Sequence, residues 1–233
     1  MRPKYTLEIS VESVEAALAA ERGGADRVEL CGSLSVGGVT PSVELLRAVR
    51  EQVNIPIFTM IRRRPGDFVY SATEFAEIKN EVDDAKKLGM NGIALGILDL
   101  NHRIDVVRTR ELVDLARPLP TTFHRAFDEC ADLLQALEDV VRTGAARILT
   151  SGGAPTALEG SAMLASLVAK AQNRIVILPG AGINASNITQ VVEKTRAEEF
   201  HSGLGSTLPY GSRDYVKFET EVRNLAQVLS GLP

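Results

Sequence analysis

The chain has 233 residues, of which 45% are hydrophobic and 24% charged, with a formal net charge of −4 at pH 7. This composition is ordinary for a globular protein, and the length suffices to bury a core without disulfide or metal staples. A negative net charge argues against general nucleic-acid binding, which needs a concentrated basic face. We therefore expect a folded domain with no nucleic-acid partner.

The two cysteines and the first residues of the sequence indicate the cellular compartment of the protein. The two cysteines, Cys31 and Cys130, exclude a disulfide framework and show no C-x-x-C spacing, which indicates a reducing environment. Residues 1–5 lack the apolar run of a signal peptide. No stretch of about 18 apolar residues is available to cross a bilayer. These features predict a cytoplasmic protein with no membrane partner.

Short apolar runs alternate with longer amphipathic stretches throughout the chain, as repeated βα units do. The predicted strands, in chain order, are residues 7–10, 27–31, 56–62, 92–98, 121–125, 147–151, 174–179 and 198–201. Helical patterns lie between and after them, for example at residues 11–21, 43–52, 73–88, 131–143 and 214–229. Eight strands, with no G-x-G-x-x-G turn after the first, favour a closed barrel over an open doubly wound sheet. The sequence predicts an α/β fold in which residues 1–233 form a single-domain (β/α)₈ TIM barrel.

In such barrels the functional residues lie at the C-terminal ends of the strands. Alternation along the first strand places Glu8 and Ser10 inside, because Leu7 and Ile9 face the helices. The same alternation in the second strand places Glu29 and Cys31 inside. These inward-facing polar side chains are the first candidates for a site.

The later strands add a cation and two imidazoles. The third predicted strand ends at Arg62, the fifth ends at His124 and Arg125 and is followed by Asp128, and the eighth ends at His201. Acids, bases and cations at neighbouring strand ends are typical of a site with perturbed pKa values.

Buried charges need partners, because an unpaired charge is costly to remove from water. One interpretation is a structural network in which Glu8 or Glu29 pairs with Arg62. The other is that these groups pair with a ligand and perform chemistry on it.

Glycine-rich turns follow the last three strands, at Ser151-Gly152-Gly153, at Gly180-Ala181-Gly182 and at Gly203 with Gly205. Such turns let backbone N–H groups approach a phosphate or carboxylate, although they also serve as plain connections. The arginine-rich loop at residues 62–68 suits an anionic substrate in the same way. The candidate substrate-binding residues are Arg62, Asp67, Arg125, Ser151, Gly152, Gly180, Gly182 and His201.

Ordered motifs along nearly the whole chain resemble the CutC family of copper homeostasis proteins. They lie at residues 23–31, 37–42, 67–71, 122–128, 147–152 and 199–201. The resemblance implies a (β/α)₈ fold, a cytoplasmic location and a homo-oligomer. It also implies a role in copper homeostasis, with a copper ion as the partner.

Two positions depart from the family pattern. Ser10 stands where the family often has a cysteine, and Arg63 and Pro65 replace a proline and a glycine in the loop after the third strand. Cu(I) prefers soft sulfur ligands. Cys31 is therefore the candidate metal ligand, and Met60, His124 or His201 are candidates for further ligands.

Two functional hypotheses follow from the sequence. The first is Cu(I) binding through Cys31 at the mouth of the barrel. The second is a lyase or isomerase acting on a small anionic metabolite, with Arg62, Arg125 and the glycine turns as the anion site. In that hypothesis the catalytic acid–base residues are Glu8, Glu29, His124 and Asp128.

Overall fold

The fold is a ring of parallel strands surrounded by helices, seen in a computed structural model that describes residues 5–205 and 208–233. The strands are Thr6–Val11 (β1), Arg27–Leu30 (β2), Ile57–Met60 (β3), Gly92–Leu95 (β4), Thr121–Phe123 (β5), Arg147–Thr150 (β6), Val176–Pro179 (β7) and Glu199–Ser202 (β8). Every paired neighbour is parallel, in the order β7-β6-β5-β4-β3-β2-β1-β8. β7 also lies beside β8, which brings the two ends of the sheet together. The predicted (β/α)₈ barrel is confirmed.

The helices follow the strands in strict alternation. They are Val14–Gly23 (α1), Val43–Gln52 (α2), Ala72–Lys87 (α3), Val106–Ala116 (α4), Leu133–Thr143 (α5), Ser161–Ala171 (α6), Ile188–Thr195 (α7) and Tyr215–Ser230 (α8). Side chains cap the N-termini of two of these helices: Ser42 accepts a hydrogen bond from the Leu45 N–H at the start of α2, and Ser71 forms a capping box with Glu74 at the start of α3. Across the described ranges, no helix is both long enough and apolar enough to span a bilayer.

The barrel has two layers of buried side chains with different chemistry. Leu7, Ile9, Val28 and Leu30 point outward from β1 and β2 and are buried against the helices. The inner face of the same strands carries buried polar groups, among them Glu8, which is 1% exposed. Because side chains alternate along each strand, an apolar outer layer leaves the charged groups inside the barrel.

The fifth strand ends earlier than predicted. β5 stops at Phe123, and a short 3₁₀ helix, Arg125–Glu129, replaces the predicted last residues of the strand. His124 caps this helix, since its Nδ1 accepts a hydrogen bond from the Ala126 N–H at 3.2 Å. The early turn places the imidazole at the top of the barrel.

Candidate functional site

The centre of the barrel holds an ion-pair cluster made of Glu8, Arg27, Arg147 and Glu199. Arg27 donates from Nε to Glu8 at 2.5 Å and from Nη2 to Glu199 at 2.8 Å. Arg147 donates from Nε to Glu199 at 2.9 Å. Two guanidinium groups thus neutralise two carboxylates inside the barrel. The interpretation that Arg62 pairs with Glu8 or Glu29 is wrong, because Arg27 lies beside Glu8, and Glu29 lies beside Cys31 and His201.

His201 joins this cluster to the second inner carboxylate. Its Nδ1 lies 2.7 Å from Glu8 Oε1, and its Nε2 lies 3.9 Å from Glu29 Oε2. Burial opposes ionisation of Glu8, but Arg27 and His201 outweigh it and lower the pKa of Glu8 to about 2. Burial, together with the charge of Glu8, raises the pKa of Glu29 to about 7. The two glutamates, which lie on adjacent strands, therefore differ widely in pKa.

Burial also opposes a charge on His201, but Glu29 and Glu8 prevail and raise the pKa of the imidazole. Glu8, Glu29 and His201 each offer one ligand atom, all within 4.8 Å of one another, a spacing compatible with a metal ion. Both oxygens of Glu8 already bond Arg27 and His201. Glu8 is therefore better suited to orient His201 than to bind a cation directly.

A cavity of about 240 Å³ lies above the cluster, at the C-terminal ends of the strands. We call it the mouth cavity. Among the residues that line it are seven of the site residues predicted from the sequence: Glu29, Cys31, Arg62, His124, Arg125, Gly182 and His201. Ser10 and Met60 also line it. Most of the residues that inward alternation and strand-end position identified therefore lie together in the fold.

Cys31 is a fully buried thiol in the wall of the mouth cavity. It packs with Met60 and Ala94, so a thiol and a thioether lie together. The Cys31 Sγ is 3.6 Å from Glu29 Oε2. Burial and the charge of Glu29 raise the pKa of the Cys31 thiol well above its usual range. The free thiol is therefore protonated at neutral pH.

Arg62 enters the mouth cavity without a carboxylate partner among the described residues. Its Nη1 donates to the carbonyls of Val36 and Gly38 at 3.2 and 3.1 Å, and its Nη2 to the carbonyl of Gly66 at 2.8 Å. The guanidinium lies 4.7 Å from the centre of the Phe68 ring. Main-chain carbonyls and an aromatic face hold this cation in place.

His124 has one ring nitrogen without a hydrogen-bond partner among the described residues. Because Nδ1 accepts from a backbone N–H, the neutral ring carries its proton on Nε2. That Nε2 is buried and has no hydrogen-bond partner within the described part of the chain. Burial and the nearby charge of Arg62 lower the pKa of His124 to about 3. The ring is therefore a neutral donor across the physiological range.

Other predicted residues lie outside the lining of the mouth cavity. Asp128 accepts from Thr150 Oγ1 at 2.5 Å and from the backbone N–H groups of Ser151 and Gly153 at 3.1 Å. Arg125 Nε donates to the same carboxylate at 2.8 Å. Asp128 thus fixes the turn after β6, including Ser151 and Gly152, rather than facing the cavity.

Three further candidates also lie apart from the cavity lining. Glu8 lies below, within the ion-pair cluster. Asp67 is exposed and accepts from Arg64 at 3.0 Å. Gly180 packs inside the barrel, where a Cβ atom would lie 2.5 Å from Leu149. The catalytic and substrate-binding roles expected for these residues stay predictions.

Sequence reasoning missed two kinds of residue. Arg27 shares the inward parity of Glu29 and Cys31, so the same alternation rule would have identified it. Leu34 lines the mouth cavity from a single 3₁₀ turn between β2 and α2, and Phe68 and Tyr210 line it from loops, where no periodicity predicts orientation. Only the path of those loops in the fold brings them to the site.

The fold and the site together define a (β/α)₈ barrel with buried acids, bases and cations below a small cavity at the strand ends. The CutC family model matches residues 5–206, and the chain belongs to the CutC family. The copper homeostasis protein cutC homolog of Homo sapiens is 44% identical over 209 residues, covering 90% of this chain and 77% of the relative. A family protein CutC of Xanthomonas campestris pv. campestris (strain B100) is 46% identical over 196 residues, covering 84% and 82%.

Solved structures agree with this assignment. The structure of CutC from Streptococcus agalactiae superposes with a TM-score of 0.81 at 30% identity, covering 85% of this chain and 98% of that one. Phosphoribosylanthranilate isomerase from Thermotoga maritima superposes with a TM-score of 0.65 at 15% identity, covering 98% of this chain and 100% of that one. At that identity the second likeness shows the barrel fold alone.

Proposed function

We propose that this chain takes part in copper homeostasis by binding one Cu(I) ion through Cys31, with Met60 and His201 as further ligands. The observation that carries the proposal is the packing of the Cys31 thiol with the Met60 thioether in the wall of the mouth cavity. Thiolate and thioether sulfur are the ligands that Cu(I) prefers, and imidazole also suits copper. Relatives named as copper homeostasis proteins support the same function.

The charges around Cys31 are compatible with a monovalent cation. Cu(I) would replace the Cys31 thiol proton, which leaves the charge at the sulfur unchanged, and His201 would release its Nε2 proton so that it binds as a neutral imidazole. The carboxylate of Glu29 lies beside the sulfur. Glu8 bonds Nδ1 of His201, which leaves Nε2 for the metal in the arrangement that carboxylate–histidine–metal sites use.

A competitive Cu(I) titration of the reduced protein tests this proposal. Cys31→Ser removes the thiolate and is expected to weaken Cu(I) binding by more than the roughly 10–100-fold that loss of an outer hydrogen-bond partner costs. Cys130→Ser is the matched control, since Cys130 follows the 3₁₀ helix and does not line the mouth cavity. Equal Cu(I) affinity in Cys31→Ser and wild type would overturn the proposal.

The cytoplasmic location and the homo-oligomer implied by the family resemblance stay predictions. Two free, buried cysteines support a reducing compartment, because Cu(I) binding requires Cys31 in its reduced form.

A further inference from the structure

Arg62 is a buried cation that has no carboxylate partner among the described residues. Arg27 and Arg147 are matched by Glu8 and Glu199, and His201 faces Glu29. Arg62 is 7% exposed, and no described carboxylate lies within ion-pair distance of it. A buried guanidinium held by carbonyl dipoles and an aromatic face, with no negative charge beside it among the described residues, is costly, so its position in a cavity wall indicates an anionic partner that enters from solution.

The hydrogen bonds of Arg62 leave one edge of the guanidinium free. A guanidinium has five N–H donors, and those on Nη1 and one on Nη2 serve the carbonyls of Val36, Gly38 and Gly66. The donors that remain are the Nε–H, which is buried without an acceptor among the described residues, and the second Nη2–H. Nε and Nη2 are the nitrogens through which arginine binds both oxygens of a carboxylate.

His124 supplies a further donor in the same region. Its Nε2–H is also buried without a partner in the described chain, and the residue is 3% exposed. The imidazole lies 5.0 Å from the Phe68 ring, against which the Arg62 guanidinium also packs. Buried donors without partners are rare in native proteins. Two of them on neighbouring side chains in one cavity wall indicate a shared ligand.

We propose that the mouth cavity binds a small organic monocarboxylate, with the carboxylate on Arg62 and His124. The cavity volume of about 240 Å³ suffices for a small organic molecule, since an engineered cavity of about 150 Å³ binds benzene. Ser10 and Glu29 line the cavity and suit a hydroxyl group on the ligand, whereas Leu149 and Ile183 suit a short carbon chain. The ligand class is therefore a short hydroxy acid.

The charge count favours a carboxylate over a phosphate ester. One unmatched guanidinium and one neutral imidazole offer a single positive charge and three free donors. A carboxylate carries one negative charge and two oxygens, whereas a phosphate monoester carries nearly two charges at pH 7. Arg62 and His124 are not among the proposed copper ligands, although all of them line the same cavity, so carboxylate binding can be tested on copper-free protein.

The experiment uses sodium lactate as the probe at constant ionic strength. Copper-free, ¹⁵N-labelled protein is titrated while the side-chain signals of Arg62 Nε–H and His124 Nε2–H are followed by NMR. Both signals are expected to shift with one common Kd, and lactate is expected to raise the Tm. This measurement on the wild type needs no variant to fold.

Variants then locate the binding. Arg62→Gln is expected to weaken lactate binding about 10- to 100-fold, as loss of hydrogen bonds to a charged group does. Arg62→Lys keeps the charge but loses the two-donor edge, and is expected to bind lactate about tenfold more weakly than wild type. Arg64→Gln is the matched control, because Arg64 pairs with Glu74 and Asp67 outside the cavity.

Three results would overturn the proposal. The first is that lactate leaves both signals unshifted at high concentration. The second is that Arg64→Gln weakens binding as much as Arg62→Gln, and the third is that inorganic phosphate binds more tightly than lactate. None of these results bears on Cu(I) binding, which the Cys31→Ser titration tests separately.

Discussion

At the scale of single residues, two glutamates on adjacent strands, Glu8 and Glu29, have very different pKa values. Glu8 bonds Arg27 and His201, which lower its pKa to about 2 despite burial. Glu29 has one oxygen without a partner in the described residues, and burial raises its pKa to about 7. The difference lies in the neighbours, since both carboxyl groups are buried to a similar extent.

Glu8→Gln tests the energetic role of the ion-pair cluster. Removing one partner of a buried pair leaves Arg27 less well neutralised, and we expect a loss of about 3 kcal/mol in the free energy of unfolding at pH 7. The folded-state pKa of Glu8 lies below its ordinary value of 4.5, so its contribution is present above pH 4.5 and is lost as the pH falls towards 2. Urea unfolding at pH 7, 4 and 3 measures the difference between variant and wild type.

That difference is expected to shrink towards pH 3. Glu77→Gln is the control, because Glu77 forms a surface pair with Arg63 and its loss is expected to cost less than about 1 kcal/mol. A difference for Glu8→Gln that stays constant from pH 7 to pH 3 would contradict the assigned charge state.

At the scale of elements, α1 and α8 hold the first and last βα units together. Gly23 ends α1 against α8, and a Cβ atom there would lie 2.6 Å from the Cβ of Val222. Such a distance is below any normal contact, so the two helices approach closely because residue 23 has no side chain. This packing supports the pairing of β1 with β8, which brings His201 beside Glu8.

Gly23→Ala is expected to lower the free energy of unfolding by about 1–3 kcal/mol, the usual cost of overpacking. Alanine would otherwise favour the helix by about 1 kcal/mol, so a net loss identifies the clash with α8. The double variant Gly23→Ala/Val222→Gly removes the Cβ atom of residue 222 and so relieves the clash, and the two changes are expected to be non-additive in urea unfolding. Additive losses would show that the close approach of these helices carries no energetic weight.

At the scale of the whole molecule, the fold separates a stabilising face from a functional face. Tyr5 Oη donates to the carbonyl of Pro233 at 3.2 Å, so the two ends of the described chain meet. The mouth cavity lies at the other end of the strands. Changes of connectivity at the first face are therefore expected to leave the site intact.

A circular permutant tests this separation. A short glycine–serine linker joins residue 233 to residue 5, and new ends open between Gln172 and Asn173, which are exposed. We expect the same far-UV circular dichroism and the wild-type Cu(I) affinity. A permutant with the same linker but opened between Ala181 and Gly182, in the cavity wall, is expected to lose Cu(I) binding. Loss of binding in both permutants would contradict the separation of the two faces.

The sequence by itself determined the architecture and most of the inner side chains. Periodicity of apolar residues depends on local geometry, so it identified the βα alternation and placed α2 at Val43–Gln52, as observed. Alternation along β1 and β2 placed Ser10, Glu29 and Cys31 inside, where they line the mouth cavity. These assignments need only the nearest neighbours along the chain.

Only the tertiary structure decided which charges are paired. Glu8 and His201 meet from strands 193 residues apart, and Arg27 rather than Arg62 takes the Glu8 carboxylate. Asp128 bonds the turn after β6, a contact that its position near a strand end did not predict, and its catalytic role stays a prediction. Pairing depends on the register between strands and on the path of loops, and no pattern within one segment contains those distances.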